Sequence, residues 1–341
     1  MRRYRQIHAI ASPLDPFSDV LVLMEYLTVQ DYLTDLLISK HGLTKKEAPS
    51  RAQQIRPHVR AATGLICQTL SSAPELSFLP AYYGILNLLK VYILVGTFHD
   101  QLPTNRWHGA TYPVGAKDSR NLLTEQIVLR RYGAIPLFYR TVTGTQMRPP
   151  KLALSDILPF VSGIGAEYHL ATGKESGVRI LQIAQEKLGS GEYQTQVHLR
   201  PLQGEQAVYS PKDFKVLRHF SQHPEAPNVF VGKTFSRKLK EDDSLFRKQF
   251  RSELIYFYPY VDGELATPLS SKHTLWPEEL AIALLFFYMS SVVRYKPDFL
   301  ARIRDSRYWP ILATARQHSL LRMLILCWSH VHQENLILLH G

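Results

Sequence analysis

Chemistry-bearing side chains fall at several separate places in this sequence. Lys90 interrupts the longest apolar run of the chain, within the stretch Ser77 to Thr111, SFLPAYYGILNLLKVYILVGTFHDQLPTNRWHGAT. An ammonium group among so many apolar residues must reach water, a carboxylate or an anion. A phosphate contact satisfies that need, and so does a lysine stem laid along its own helix with its head in water. Just downstream, Arg106 and the pair His108-Gly109 lie in a long polar segment. Arg106 is a second candidate anion contact, and His108 could act as an acid or base near neutral pH. No nucleophile or acid partner stands at a recognisable spacing, which favours a structural loop histidine. Near the end of the chain, Arg294, Lys296, Arg302, Arg304 and Arg307 alternate with Tyr295, Tyr308 and Trp309. Basic groups interleaved with aromatic rings suit phosphate contacts combined with stacking on single-stranded bases. The competing reading makes Arg294 a cap for the last carbonyls of a helix.

Other arrangements carry less. His330, His332 and Glu334 suggest a metal, but on a helix only His330 and Glu334 share a face. A metal site would then need ligands from elsewhere, and none is expected. Ser290-Ser291 has no glycine-rich nucleophile elbow around it, and the chain contains neither a P-loop nor a GxGxxG fingerprint. Nucleotide hydrolysis and hydride transfer therefore have no support, and no cofactor is expected.

The elements that must position these groups follow from composition and periodicity. With 45% hydrophobic and 20% charged residues over 341 positions, the chain has enough apolar surface for a large core. A formal net charge of +11 at pH 7 makes polyanions the natural partners, RNA or DNA above all. Two cysteines, Cys67 and Cys327, sit among apolar neighbours without a CxxC. They read as buried free thiols of a reducing cytoplasm. The basic N-terminus lacks the apolar region of a secretory signal, and Lys90 argues against a membrane span. A soluble, cytoplasmic protein with no membrane contact is expected.

Residues 1–18 read as extended, with a helix capped by Ser18 or Asp19 from Val20 to about Ser39 and stopped at Gly42. A second helix covers Lys46 to Leu70, broken or kinked at Pro57. A buried helix runs from Pro80 to about His99, with Pro80 in its first turn. Leu123–Tyr132 reads as a short amphipathic strand or helix, and Ser155–Gly165 as a short helix. Alternation predicts strands on both sides of a Gly-Ser-Gly turn at 189–191, then Asn228–Thr234 and Glu253–Val261, with a run of mixed charge at Lys233–Arg251. Further helices cover Glu278–Tyr295, Phe299–Ile303, Trp309–Ala315 and His318–His332. The result is a mainly helical α+β protein: a helical region over 1–175, a β-rich region with a small antiparallel sheet over 176–270, and a helical region over 271–341 packed on the first.

Three segments together resemble the YaaC-like family of bacterial proteins. They are Leu79-Pro80-Ala81-Tyr82-Tyr83-Gly84 continuing through Leu88-Leu89-Lys90, then His108-Gly109, then Ser290-Ser291-Val292-Val293-Arg294-Tyr295-Lys296-Pro297. Their order and spacing cover most of the chain. The resemblance implies helical ends around a β-containing middle and brings no agreed activity with it. The loop that follows His108-Gly109 is less basic than the family pattern. More distantly, the first helices are similar to HEPN-type proteins, whose catalytic signature pairs an arginine with a histidine a few residues on. Arg51 and His58 have that relation with Pro57 between them, and so do Arg3 and His8 in a segment that reads as extended.

These observations favour a non-enzymatic nucleic-acid-binding or accessory protein of a bacterial assembly, a defence-related one being a candidate. The enzymatic alternative is a HEPN-like, metal-independent RNase, a homodimer using Arg51 and His58. The third reading is a structural subunit whose basic surface meets an acidic protein partner.

Overall fold

The computed structural model describes residues 6–12, 15–105, 107–113, 121–147, 151–161, 163–174, 176–200, 209–214, 217, 219–235, 258–259, 265–268 and 277–339. The fold is mainly helical α+β. Contacts divide the chain into two compact units. One comprises Ser12–Ser176 and Glu278–Gln333; the other takes the described parts of Met1–Ala11, Gly177–Pro277 and Glu334–Gly341.

The helical unit is built on α4, Pro74–Val95. This helix starts earlier than the apolar pattern suggests, because Pro74 occupies the first turn, where a missing N–H costs nothing. Pro80 then lies inside the helix and gives up one backbone bond. Burial compensates: Ile85, Leu88, Leu89, Val91 and Ile93 are fully inaccessible to solvent. Each such side chain contributes about 1.5–3 kcal/mol relative to exposure. By length and composition α4 could cross a membrane, yet 72% of its apolar window is buried inside the protein.

What buries it comes from both ends of the chain. α3, Glu47–Ser71, runs alongside, and Gly84 permits the approach: a Cβ there would lie 3.0 Å from Ile66 Cγ1 and 3.4 Å from the Ala62 carbonyl. α3 continues without a break through Pro57, which faces solvent while Ile55 and Val59 are fully buried. α5, Ala134–Thr143, sets Phe138 edge-on to Tyr92 at 5.2 Å. α7, Glu278–Tyr295, adds Phe286 against Phe78 and Phe287 against Tyr82, with ring centroids 5.9 and 5.5 Å apart. α9, Trp309–His332, is one continuous helix where two were expected; it stacks His330 on Tyr92 at 4.3 Å.

The first expected helix is instead two, α1 Pro16–Tyr26 and α2 Gln30–His41. Asp15, rather than Ser18 or Asp19, caps α1 by accepting from the Phe17 and Ser18 amides. Arg56 of α3 holds the break: its Nε donates to the Thr28 carbonyl at 2.6 Å and its Nη1 to Gln30 Oε1 at 2.7 Å. Gly42 ends α2 with φ of 66°, as its place after the apolar stripe predicts. α6 is Gly165–Thr172, and α8 is Pro297–Arg304. Within Ser155–Gly165 the chain makes 3-10 turns rather than a helix. Leu123–Tyr132 supplies only β3, Gln126–Leu129, the centre of a three-stranded antiparallel sheet with β2, Ala110–Thr111, and β4, Lys151–Ala153. Cys327 is buried as expected, but Cys67 is exposed on α3.

The β-rich unit centres on the hairpin of β5, Val178–Lys187, and β6, Tyr193–Arg200, closed over the Gly-Ser-Gly turn with Gly191 at φ of 81°. Thr195, Val197 and Leu199 alternate inward. β7 is Ser221–Gln222, β8 Val229–Phe235, β9 Tyr258–Pro259 and β10 Leu265–Pro268. Together these strands form a six-stranded antiparallel sheet ordered β7-β8-β6-β5-β10-β9. Most of the mixed-charge run Lys233–Arg251, and most of Glu253–Val261, lie outside the described residues. β1, Gln6–Ala11, and β11, Glu334–Leu339, form a separate parallel pair, which sequence periodicity did not anticipate.

A buried ion pair in the helical unit gives a direct test of its packing. Arg322 donates from Nε and Nη2 to the two carboxylate oxygens of Glu278 at 2.9 and 3.0 Å, and Glu278 is 2% exposed. Removing one partner leaves a desolvated charge. Arg322→Ala is expected to cost about 3–5 kcal/mol and to lower Tm by roughly 10 °C, read by thermal unfolding.

Candidate functional site

α4 keeps one stripe out of the core. Leu79, Tyr83, Asn87 and Lys90 recur at helical spacing and are all partly exposed, while most residues between them are buried. Lys90 is half-buried and has neither a hydrogen bond nor an ion pair among the described residues. Burial alone pushes its ammonium below the usual lysine range.

His108 reaches this stripe from the loop after α4. Its Nδ1 lies 2.6 Å from the Tyr82 hydroxyl, and its ring packs on Tyr82 and Tyr83 at 5.3 and 5.9 Å. Burial raises the Tyr82 phenol well above its normal range, so that hydroxyl keeps its proton. Burial, then Arg294, then Lys90 hold the His108 pKa down.

The loop is locked by a close backbone crossing. Gly109, at φ of 81°, faces Gly133, at φ of 126°; a Cβ on Gly133 would lie 2.4 Å from the Gly109 Cα. Around the crossing, the Ala134 amide donates to the Trp107 carbonyl at 2.7 Å and the Ile135 amide to the His108 carbonyl at 3.1 Å. Arg130 donates its amide to the Gly109 carbonyl at 2.9 Å. The first turn of α5 thus spends its unpaired amides on holding His108.

His58 of α3 approaches from the other side. Asn87 Nδ2 donates to the Tyr83 carbonyl at 2.8 Å, which turns its Oδ1 toward His58 Nδ1, also at 2.8 Å. Nδ1 of His58 is thereby the donor, and its Nε2 is an acceptor until protonated. Burial lowers the His58 pKa, and Lys90 adds to the effect. Arg294 lies at the C-terminal end of α7, exposed, its Nε donating to the Ser290 carbonyl at 3.1 Å. It acts electrostatically on both Tyr82 and His108. Two permanent cations and two imidazoles are thus gathered around tyrosine rings, and none of the four pairs with a described carboxylate.

The other predicted residues are placed differently. Arg106 lies outside the described residues. Lys296 is drawn into a buried network: its ammonium sits 5.1 Å from the centre of the Tyr112 ring, and the hydroxyls of Tyr112 and Tyr288 donate to Glu125 at 2.8 and 3.3 Å. Burial raises Tyr112 to about 12. Arg302, Arg304 and Arg307 are exposed on and just after α8, where Arg304 pairs with Glu75 at 2.7 Å. Tyr308 is buried, so its ring is not presented as a stacking face, and Trp309 is half-buried, packed edge-on against Phe78 at 6.4 Å. Tyr295 is 52% exposed beneath the Arg294 guanidinium.

Arg51 and His58 share α3 but serve different contacts, since Arg51 Nη1 donates to the Leu94 carbonyl at 2.6 Å. Arg3 lies outside the described residues, and His8 lies 3.8 Å from Glu334 in the β-rich unit. His332 is held through both ring nitrogens, by Tyr32 and the Trp328 carbonyl. No group of three potential metal ligands occurs among the described residues.

Fold and site define a mainly helical α+β protein whose polar cluster joins α3, α4, the His108 loop and the end of α7. The chain belongs to the YaaC-like family: the family described as YaaC-like Protein matches residues 23–330. No curated protein and no solved structure matches it.

Gly109 is the most exposed joint of this arrangement to mutation. A methyl group there would meet Pro136 Cδ at 2.4 Å and force a residue into φ of 81°. Gly109→Ala is expected to release His108 from Tyr82, raising the histidine pKa toward its ordinary value near 6.5. Histidine titration by NMR reads the change.

Proposed function

We propose that this protein is a non-enzymatic nucleic-acid-binding component of a larger bacterial assembly, and that it holds single strands by their phosphates. The observation that supports this reading is the grouping of Lys90, His108 and Arg294, with no described carboxylate to offset them. A half-buried lysine and a nearby exposed arginine without a described carboxylate favour an anionic partner. The half-exposed rings of Tyr83 and Tyr295 lie beside those charges and offer surfaces for bases. Arg302 and Arg307 extend the positive surface beyond α7, with Arg304 partly neutralised by Glu75.

The net charge of +11 supplies long-range attraction to any polyanion, while the cluster supplies a defined contact. Binding of labelled single-stranded RNA, single-stranded DNA and duplex DNA across a salt series tests the reading. Replacing Arg302, Arg304 and Arg307 together by alanine is expected to weaken binding and flatten its salt dependence, by about 0.7 in log–log slope for each phosphate that is no longer neutralised. Arg294→Ala is expected to weaken binding further. Unchanged affinity and slope in both variants would refute the reading, and strand cleavage without added metal would replace it with an RNase.

A further inference from the structure

We infer that the cluster of Lys90, Arg294, His58 and His108 is a site for a phosphomonoester, the terminal phosphate of a nucleic-acid strand. The inference rests on the proposed binding role and narrows it to strand ends.

Charge is the first ground. A phosphate within a strand carries one negative charge, whereas a terminal phosphate carries between one and a half and two near neutral pH, on the order given by a second pKa of about 6. Lys90 and Arg294 provide two permanent positive charges, which match a dianion and exceed what one diester needs. Geometry is the second ground. Tyr83, Asn87 and Lys90 share the open stripe of α4, His58 is bonded to Asn87 at 2.8 Å and His108 packs on Tyr83 at 5.9 Å, so the lysine and both imidazoles flank one short stretch of that stripe.

Proton chemistry is the third ground. Tyr82 engages Nδ1 of His108, which leaves Nε2 as the nitrogen that can meet an anion. His58 presents an Nε2 lone pair, because Asn87 fixes the hydrogen on Nδ1. Once protonated, both imidazoles can donate from Nε2 to phosphate oxygens. The groups facing His108 are Arg294, Lys90, Tyr82 and Tyr83; those facing His58 are Lys90 and Asn87. Burial, reinforced by those cations, disfavours protonation of both imidazoles, and an arriving dianion opposes that effect. Binding should therefore take up protons.

The test uses the full chain with single strands of one sequence ending in a 5′-phosphate, a 3′-phosphate or hydroxyls only, labelled internally. One phosphorylated end is expected to bind at least about 10-fold more tightly than the hydroxyl strand. That advantage should be larger at about pH 7 than at about pH 8.5, a range in which the phosphate stays mostly a dianion and imidazole protonation changes. Lys90→Met, which keeps the apolar stem, should remove the end preference, so that phosphorylated and hydroxyl strands bind alike. Equal affinity for all three ends would overturn the end site and leave the general binding role standing. Calorimetry with a nucleoside monophosphate and its nucleoside covers the remaining case. If no strand binds but the monophosphate does, and Lys90→Met abolishes it, the site stands and the strand-binding role fails. If neither strands nor monophosphate bind, the site is refuted as well.

Discussion

The helical unit depends on burying α4 on nearly every side while leaving one stripe open. An apolar surface that wraps most of a helix cannot be covered by one neighbour. Here α3, α5, α7 and α9 each cover a part of it. The sequence places α7 and α9 almost two hundred residues after α4, so the core can close only when the far end of the chain returns. Polar groups on the open stripe are consequently the ones that remain addressable from solvent. Lys90 is tolerated in such an apolar helix because it falls on that stripe, where its ammonium escapes full desolvation.

A second constraint sets the position of His108. Backbones approach as closely as Gly109 and Gly133 do only where neither residue has a side chain. Both also adopt positive φ, so glycine is required twice over. Their contact pulls the loop onto the start of α5, whose free amides then hold the carbonyls of Trp107 and His108. The imidazole is thus aimed by backbone geometry on one side and by the Tyr82 hydroxyl on the other. A histidine positioned this way has little freedom to turn, and its acid–base state is set by fixed neighbours rather than by solvent.

Much of the architecture was legible in the chain. The long apolar run showed α4, the alternation from Val178 to Leu199 showed the central hairpin, and the apolar stretch after Pro277 showed α7. The errors came from contacts between distant residues. The break between α1 and α2 is stabilised by Arg56, which no local pattern reveals. Pro57 and Pro80 looked like boundaries, but packing of their buried neighbours carries both helices through. The parallel pairing of β1 with β11 joins opposite ends of the chain, and a parallel pair leaves no hairpin signal. For the site, Lys90, His108 and Arg294 were each visible as residues of interest in separate segments. Their convergence was not, because spacing along a chain says nothing about which helix end meets which loop. His58 was visible only through its relation to Arg51, a partner the structure gives to Leu94 instead. The arginine–aromatic segment read as one surface, yet Tyr308 is buried and Trp309, half-buried, packs edge-on against Phe78, while Tyr295 stays open. Aromatic residues in a basic segment carry two opposing preferences, and at Tyr308 burial won.

The cluster also has a thermodynamic cost that the rest of the fold must offset. Lys90 loses hydration without gaining a hydrogen-bonded partner among the described residues, and burial, reinforced by the nearby cations, disfavours the protonated forms of His58 and His108. Each of these effects opposes folding or leaves binding capacity unused in the free protein. A group that disfavours the empty state gains most when a ligand arrives, because the ligand repairs what the fold left unpaired. The same logic explains why the cluster sits on the strongest packing in the unit: a destabilising arrangement persists only where neighbouring burial exceeds its cost. The strain is local, the packing around it is dense, and the open face of α4 is where an anion would relieve it.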